Sequence, residues 1–259
     1  MNILRFTLSG KNAFFKKPEV NTYCYYTYGN VHKVALLGMF GALLGYGGYS
    51  QMKGFERGKK KKKMEISYPE FYERLRGLKI SILPVQEFSK GYIPKKVQTF
   101  NNSVGYASKE QGGNLIVREQ WLENPKWEIC LLIDSEEAER VQSAVCNKTC
   151  VFYPYLGKND HPADIGAVKI EPAVERHIEF GRLDCFFLKD EIELADLDED
   201  EQEELEAFCG FKYEEALPYG MDGWTNQYQL KTLIYTDAFV NTGNTSVYQL
   251  EDEKKIVFY

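Results

Sequence analysis

Lysines and aromatic residues share the segment from residue 11 to residue 30. Three lysines come first and four tyrosines follow them: Lys11, Lys16, Lys17, Tyr23, Tyr25, Tyr26 and Tyr28. Aromatic rings stack on unpaired bases while ammonium groups meet phosphates, so this composition suits a single-stranded nucleic acid. The alternative is a solvated loop whose tyrosines pack at the edge of the core, and the segment taken alone favours that alternative.

His32 and Lys33 follow directly and fall in the first turn of a predicted helix. A helix N-terminus already carries partial positive charge, so a cation there is unfavourable unless an anion is nearby. Phosphate is the usual anion at such a place, because the free backbone N–H groups point toward it. The spacing therefore predicts an anion at this helix start.

Residues 31–48 predict one helix followed by a glycine turn, and Gly38, Gly41 and Gly45 lie along one face of the helix. Each glycine inside a helix costs about 1 kcal/mol relative to alanine, so something must approach that face closely. A sheet packed against the helix is the favoured explanation, and the backbone of a ligand is the alternative.

The other elements follow from hydrophobic periodicity and turn residues. We predict strands at 2–8, 78–84, 126–134, 167–174 and 183–188, and further short strands near the end of the chain. Helices are predicted at 69–76 and after Ser135, which caps its helix. Residues 190–206 are strongly acidic and predict a solvated helix or loop. Residues 217–220 are interpreted as a turn.

A long hairpin is predicted over residues 89–120, with a basic, polar outward arm and a better-buried return strand. The candidate RNA-binding residues of this hairpin are Lys95, Lys96, Asn101, Asn102, Tyr106 and Arg118. The body does not need so long an arm, which indicates a projecting element. The five lysines at 59–63 predict a mobile, solvated basic loop without a specific site.

The formal net charge of −6 hides a division between the two halves of the chain. Residues 1–134 contain 21 Lys and Arg against 11 Asp and Glu, a balance of +10. Residues 135–259 contain 11 against 27, a balance of −16. This asymmetry indicates that the first half meets a polyanion, while the second half faces solvent or a basic protein.

The six cysteines include no Cys-x-x-Cys pair, and the three histidines lie far from the Cys146 and Cys150 pair. We therefore expect neither a bound metal nor another cofactor. The first residues lack a signal-peptide pattern, and the apolar part of 31–48 is too short and glycine-rich for a membrane span. These features favour a reducing, cytoplasmic location without a membrane partner.

Several stretches in order resemble the fifth CRISPR-associated (Cas) protein family. They are LSGKNAFFKKPEV with its tyrosine-rich loop, KVALLGMFGALLG, NLIVREQWLENPKWEI, FYPYLGKNDHPADI and LPYGMDGW. The order and spacing fit over most of the chain, and the sequence looks most like the subunit of type I-B effector complexes.

The resemblance implies an α+β fold of the RAMP type. A ferredoxin-like or RRM-like antiparallel sheet with helices would carry a thumb hairpin at about 89–120 and additional C-terminal strands, as a single domain over 1–259. It implies binding of the 5′ handle of the CRISPR RNA (crRNA) at one end of the Cascade backbone. The expected neighbours are a backbone subunit of the seventh Cas family and a large subunit of the eighth, with target DNA reached through the complex.

The role implied is binding without catalysis. Lys11, Lys16 and Lys17 would contact handle phosphates, and His32 and Lys33 would meet a phosphate or a base edge. The tyrosines between 23 and 28 would stack on splayed bases, and the hairpin would clamp the RNA where the handle becomes guide.

Two alternatives remain open. Relatives in type I-C systems cleave the crRNA precursor without metal, and Tyr28, His32 and Lys33 could supply the base, acid and cation for that reaction. The second alternative is a protein-interaction module without direct RNA contact, which rests on the acidic second half.

Overall fold

A computed structural model describes residues 1–19, 23–52, 67–85, 90–101, 103, 105–106, 109–111, 113–204 and 210–259. The lysine run at 59–63, residue 89 at the start of the predicted hairpin, and Asn102 lie outside the described residues.

The described residues form a mixed α+β structure with antiparallel sheets, as the sequence predicts. The strands are β1 (Asn2–Ser9), β2 (Asn12–Ala13), β3 (Ile80–Pro84), β4 (Lys95–Asn101), β5 (Ile116–Glu123), β6 (Lys126–Leu132), β7 (Asp164–Pro172), β8 (Val174–Arg176), β9 (Phe180–Gly181), β10 (Phe187–Leu188), β11 (Glu193–Leu194), β12 (Lys212–Met221), β13 (Tyr228–Thr236), β14 (Val240–Asn241), β15 (Val247–Gln249) and β16 (Lys255–Ile256). The helices are α1 (Lys33–Leu44), α2 (Glu70–Leu75), α3 (Glu136–Cys146) and α4 (Glu199–Glu204), with a short 3-10 turn at Tyr49–Gln51.

A four-stranded antiparallel sheet forms the centre of the fold. Its spatial order is β3-β6-β1-β7, and α1 and α3 connect strands of this sheet along the chain. The sequence of elements β1-α1-β3-β6-α3-β7 with this strand order is the ferredoxin-like βαββαβ arrangement. Ser135 caps α3 as expected, because its hydroxyl oxygen accepts a hydrogen bond from the Ala138 N–H.

A second sheet, β2-β5-β4, is inserted into this arrangement: β2 lies between β1 and α1, and β4 and β5 lie between β3 and β6. β4 pairs antiparallel with β5 from Lys95 opposite Leu122 to Asn101 opposite Ile116, so the two strands form the arms of a hairpin. The later part of the chain builds a sheet of β10-β13-β12 and two small sheets, β11-β14-β9 and β16-β15-β8.

Both faces of the central sheet are covered, and this explains why β1 and β6 read as nearly continuous apolar runs. In β1, Leu4 and Phe6 belong to one hydrophobic cluster, which includes α1, and Ile3 belongs to the other. In β6, Ile129 belongs to the first cluster and Cys130 to the second. Because successive strand residues point to opposite faces, the alternation assigns one cluster to each face.

Arg5 interrupts the apolar run of β1 and is only 3% exposed. Its guanidinium donates hydrogen bonds to Glu171 at 3.0 Å, to Glu128 at 2.7 Å, and to both carboxylate oxygens of Asp252 at 3.0 and 2.8 Å. These partners hold the guanidinium in its charged form and raise the pKa of Arg5 despite burial. The network joins β1 to β6, to β7 and to the turn before β16.

The three glycines of the α1 region have three different surroundings. A Cβ on Gly41 would collide with the side chain of Phe71 in α2, so the close neighbour is a helix and not the predicted sheet. Gly45 ends the helix in the left-handed conformation, with φ of 76°. A Cβ on Gly38 would meet only Phe71 Cε2, at 3.9 Å. The helix ends at Leu44, and the glycine-rich residues 45–48 follow it outside the helix.

We expect alanine substitutions at two of these glycines to have opposite effects on stability. Gly38→Ala should raise the free energy of unfolding by about 1 kcal/mol, because it improves helix propensity without a steric clash. Gly41→Ala should lower it by roughly 1–3 kcal/mol, because Phe71 or the backbone must shift. Urea denaturation of both variants checks this, and changes of the same sign would contradict it.

Two interpretations of the sequence were wrong in the later part of the chain. Residues 217–220 do not form a turn but continue β12, where the pairing with β13 shifts register between Pro218 and Gly220. The predicted strand at 183–188 is reduced to the two residues of β10.

Candidate nucleic-acid interface

The segment of residues 11–28 is attached to the hairpin by its backbone. The Tyr25 N–H donates to the Arg118 carbonyl at 2.8 Å, and the Gln120 N–H donates to the Tyr25 carbonyl at 2.8 Å. Further back, the Lys17 N–H donates to the Tyr26 carbonyl at 2.9 Å. The lysine-rich and tyrosine-rich parts therefore lie side by side along the edge of β5 that β4 leaves open. We call the surface formed by residues 11–19 and 23–28, β4 and β5 the basic arm.

Four cations of the basic arm have no carboxylate partner among the residues that the structure describes: Lys11, Lys16, Lys95 and Arg118. The Lys16 ammonium lies 3.8 Å from the centre of the Tyr25 ring, and Tyr25 in turn contacts the backbone of Arg118. In the pairing of β4 with β5, Lys95 and Arg118 point to the same face of the hairpin. Tyr25 pairs with Glu119, the neighbour of Arg118, so Lys16 and Tyr25 lie on the other face of the hairpin. These groups leave positive charge uncompensated on the hairpin and on the segment attached to it.

Other lysines of this region are already paired. The Lys17 ammonium lies 3.8 Å from Glu215, and the Lys96 ammonium lies 3.4 Å from Glu123. Lys158, which the sequence analysis did not select, donates to Glu119 at 2.9 Å. A phosphate would have to compete with a carboxylate for each of these three lysines, so the unpaired cations are the stronger candidates.

The candidate tyrosines differ widely in exposure. Tyr23 is 83% exposed, Tyr106 is 78% exposed and Tyr26 is 46% exposed, so their rings are open to a base. Tyr25 is half-buried beneath the Lys16 ammonium. Tyr28 is only 2% exposed and belongs to the main hydrophobic cluster. Its ring cannot stack on a base in this structure, so the prediction that Tyr28 is a stacking residue was wrong.

Residues Gly29 and Asn30 fix the position where α1 begins. The Asn30 amide accepts a hydrogen bond from the Trp127 indole N–H at 2.9 Å and donates to the Gly91 carbonyl at 2.9 Å. The Gly29 N–H donates to Glu215 at 2.9 Å. This arrangement ties the helix start to the core and to the base of the hairpin. The sequence Tyr-Gly-Asn at 28–30 did not predict these hydrogen bonds.

His32 caps α1 and is not a surface cation. Its Nδ1 atom accepts a hydrogen bond from the Ala35 N–H at 3.1 Å, and the residue is 3% exposed. Burial lowers the pKa of His32 to about 3, so the ring is neutral at neutral pH. The expected conflict between a His32 charge and the helix N-terminus therefore does not arise. The ring acts as the N-cap.

Lys33 is 8% exposed, and its ammonium lies 4.8 Å from the centre of the Tyr219 ring. The Lys231 ammonium lies 4.8 Å from the same ring. Burial and the nearby Lys231 charge lower the pKa of Lys33 to about 8. Lys33 thus packs over Tyr219 of β12, next to Lys231 of β13. Because His32 and Lys33 are both buried, they do not form a surface site.

The burial of His32 predicts a specific pH dependence. Its pKa of about 3 in the folded state lies below the unfolded value of about 6.5, so between these values the unfolded chain binds an extra proton. Stability is therefore fully present above pH 6.5 and falls as the pH drops. Between pH 6 and pH 5 we expect His32 to contribute a loss of about 1 kcal/mol.

Chemical denaturation of His32→Asn at the two pH values measures this contribution, because asparagine keeps an N-cap and does not titrate. Ser135→Asn provides the control, because it exchanges one N-cap residue for another in α3 and changes no titratable group; its free energy of unfolding should keep the pH dependence of the unmodified chain. If the free energy of unfolding of His32→Asn changes between pH 6 and pH 5 as much as that of the unmodified chain, His32 is not the source of the pH dependence.

Three exposed aromatic residues lie in the loop before β7. The sequence analysis did not predict them as binding residues and included them only in a stretch that resembles the fifth Cas family. Phe152 is 60% exposed, Tyr153 is 87% exposed and Tyr155 is 46% exposed. The loop is joined to the basic arm, because the Phe14 N–H donates to the Leu156 carbonyl at 3.0 Å. The sequence did contain a signal for this exposed surface: its aromatic residues follow one another closely and lack the alternation with polar residues that is typical of a strand.

Neither a metal site nor a membrane span is found in the part of the chain that the structure describes. No group of three or more His, Cys, Asp or Glu side chains within those ranges could hold a metal ion. Among the described helices, none is long and apolar enough to cross a bilayer.

Comparisons with known proteins identify the fold. No protein-family model matches the sequence, and no curated protein matches it either. Among solved structures, a chain of a CRISPR RNA-guided surveillance complex is similar with a TM-score of 0.51 and 12% identity, over 91% of this chain and 90% of that chain. A CRISPR protein from Archaeoglobus fulgidus is similar with a TM-score of 0.50 and 11% identity, over 99% and 98% of the two chains. The chain therefore shares the α+β fold of these CRISPR-associated structures.

Proposed function

We propose that this protein is a crRNA-binding subunit of a CRISPR effector complex that holds the 5′ handle without catalysis. The observation that carries the proposal is the basic arm, which carries four unpaired cations together with exposed tyrosines, while the exposed Tyr106 lies in the loop that joins β4 to β5. Phosphates of a single strand suit the cations, and unstacked bases suit Tyr23, Tyr26 and Tyr106. The shared fold with a chain of an RNA-guided surveillance complex supports the same function.

The finer assignment is to a cytoplasmic type I-B Cascade, at the end of its backbone. The resemblance in sequence supports this position, with the seventh and eighth Cas families as neighbours and target DNA reached through the complex. The hairpin would then lie where handle becomes guide.

Binding of RNA by the full chain tests the proposal directly. A fluorescent single-stranded RNA is titrated at several salt concentrations, and the logarithm of the binding constant is plotted against that of the salt concentration. Four phosphate contacts predict a slope of about −2.8. Absence of RNA binding, by the chain and by its complex co-expressed with the neighbouring subunits, would overturn the proposal.

A catalytic role is the second candidate, with Tyr28, His32 and Lys33 as the reacting groups. The pKa of His32 near 3 makes the ring a weak base, and Tyr28 is buried with a pKa raised to about 12. These values favour binding over proton transfer. Incubation of the purified chain with precursor crRNA and a chelator decides the matter, because specific cleavage would establish the enzyme.

The third candidate is a protein-interaction module. The acidic residues at 190–204 would dock a basic partner and RNA would not touch the chain. Photo-crosslinking within the assembled complex separates the two possibilities, since crosslinks from RNA to the basic arm exclude this candidate.

A further inference from the structure

A groove of about 560 Å³ runs along one side of α1, next to the basic arm. Ala35, Gly38 and Ala42 form its floor. These residues are spaced three and four positions apart, so they lie on one face of the helix. Because their side chains are small, the space above that face stays open. A volume of this order is typical of sites for small organic groups.

The walls of the groove are aromatic. Phe152 and Tyr155 line it from the loop before β7, and Tyr228 lines it from the start of β13. All three are partly exposed, at 60%, 46% and 36%. Lys16 also lines the groove, and it is one of the unpaired cations of the basic arm. The groove is therefore continuous with the surface to which we assign RNA phosphates.

His32 lines the same groove and brings a ring N–H donor to it. Nδ1 accepts the hydrogen bond from the Ala35 N–H, and the ring is neutral, so the proton of the imidazole is on Nε2. The rings of Phe15, Tyr28 and Tyr228 contact the imidazole at centroid distances of 5.3–5.7 Å. Nε2–H has no hydrogen-bond acceptor in the described part of the chain, and only 3% of His32 is exposed.

Nε2–H makes no hydrogen bond within the described part of the chain, so an acceptor atom on a ligand in the groove can receive it. The ligand should be flat, since aromatic walls favour stacking. It should be neutral, since a neutral imidazole does not balance an anionic phosphate. It should also be attached to a polyanion, since Lys16 lies at the same groove. A nucleobase of a single RNA strand meets all three requirements.

We infer that this groove holds one unstacked nucleobase of the bound RNA, and that an acceptor atom on the base edge receives a hydrogen bond from His32 Nε2–H. The inference rests on the proposed function and deepens it, because it assigns a base-binding subsite to residues of α1, β13 and the loop before β7. The phosphates of the same strand would lie on Lys16 and Lys11.

Substitution of Gly38 tests the subsite. Gly38→Leu fills the groove from its floor, where a Cβ meets only Phe71 Cε2 at 3.9 Å. The matched control is Gly77→Leu, which lies outside the groove and where a Cβ meets no atom within 4 Å. The full chain is titrated with eight-residue oligomers of uridine, cytidine and adenosine, and with an abasic ribose-phosphate oligomer of equal length.

We expect Gly38→Leu to bind the tightest homopolymer about tenfold more weakly than the unmodified chain does, because a stacked base is lost. Binding of the abasic oligomer should not change, and Gly77→Leu should bind both like the unmodified chain. His32→Asn keeps the N-cap and should weaken homopolymer binding about fivefold, without an effect on the abasic oligomer. Should Gly38→Leu fail to fold, Gly38→Ala provides the same comparison with a smaller loss.

The outcomes separate the subsite from the proposed function. If Gly38→Leu binds the homopolymer and the abasic oligomer like the unmodified chain, the base subsite is overturned while RNA binding stands. An equal loss for both oligomers also overturns it. If the unmodified chain and its co-expressed complex bind no RNA, the proposed function itself fails. Crosslinks from 4-thiouridine to Phe152, Tyr155 or Tyr228 support the subsite, and a peptide of another subunit in this groove contradicts it.

Discussion

Replacement of Lys11, Lys16, Lys95 and Arg118 by glutamine should weaken single-stranded RNA binding on the order of 100-fold at 50 mM salt. The reason is the loss of counterion release, since each phosphate contact on a single strand contributes about 0.7 to the salt slope. In a plot of the logarithm of the binding constant against that of the salt concentration, the slope of the unmodified chain should be more negative than that of the variant by about 2.8. This difference equals about a 50-fold change in affinity between 50 and 200 mM salt. Fluorescence anisotropy measures both quantities.

A matched comparison uses two cations at a time. Lys16 and Arg118 are replaced in one variant. In the other, Lys189 and Lys212 are replaced, and both of these contact Glu214 at 2.7–2.8 Å on β12. The net charge changes equally, so a general electrostatic effect would weaken both variants alike. We expect the slope to fall by about 1.4 only for Lys16 and Arg118. Equal slopes in the two variants would refute the basic arm as the binding surface.

Replacement of Arg5 by methionine should lower the free energy of unfolding by about 3 kcal/mol. The side chain of Glu171 is 1% exposed, and without Arg5 its charge would be buried with only Lys169 nearby. Removal of one partner from a buried ion pair costs about 3–5 kcal/mol, largely because the remaining charge is uncompensated. Thermal unfolding should shift downward by roughly 6–12 °C for a chain of this size.

Two further variants isolate the cause of this effect. Lys169→Met removes the half-exposed partner of the same carboxylate and should cost less than about 1 kcal/mol. Arg5→Met combined with Glu171→Gln should recover part of the loss, because the buried charge is gone. If the double variant is no more stable than Arg5→Met, lost packing of the long Arg5 side chain explains the result instead.

The ferredoxin-like core could be predicted largely from local patterns. The strands β1, β3 and β6, the helix α2 and the capped helix α3 lie close to their predicted bounds, because alternation and capping residues are local signals. The strand interior at 217–220 was misread as a turn, since Pro and Gly are turn residues in most contexts. Here they fall at an irregularity in the pairing of β12, which tolerates them.

The candidate site could be predicted only in part. Lys16, Tyr25 and Arg118 were selected by residue type, but sequence gives no reason why residue 25 should pair with residue 118. That contact depends on tertiary backbone hydrogen bonds. Burial also separates Tyr28 from Tyr26, although the two have the same side chain and lie two positions apart. The groove beside α1 was missed, because its parts come from four distant segments.

The position of β1 at the centre of the main sheet has a consequence for synthesis on the ribosome. β1 emerges before its neighbours β6 and β7, which begin at residues 126 and 164. At ordinary translation rates the nascent chain must wait roughly 6–25 s before β6 is complete. During that interval an apolar strand has both edges unpaired, which is the condition under which nascent chains aggregate or recruit chaperones.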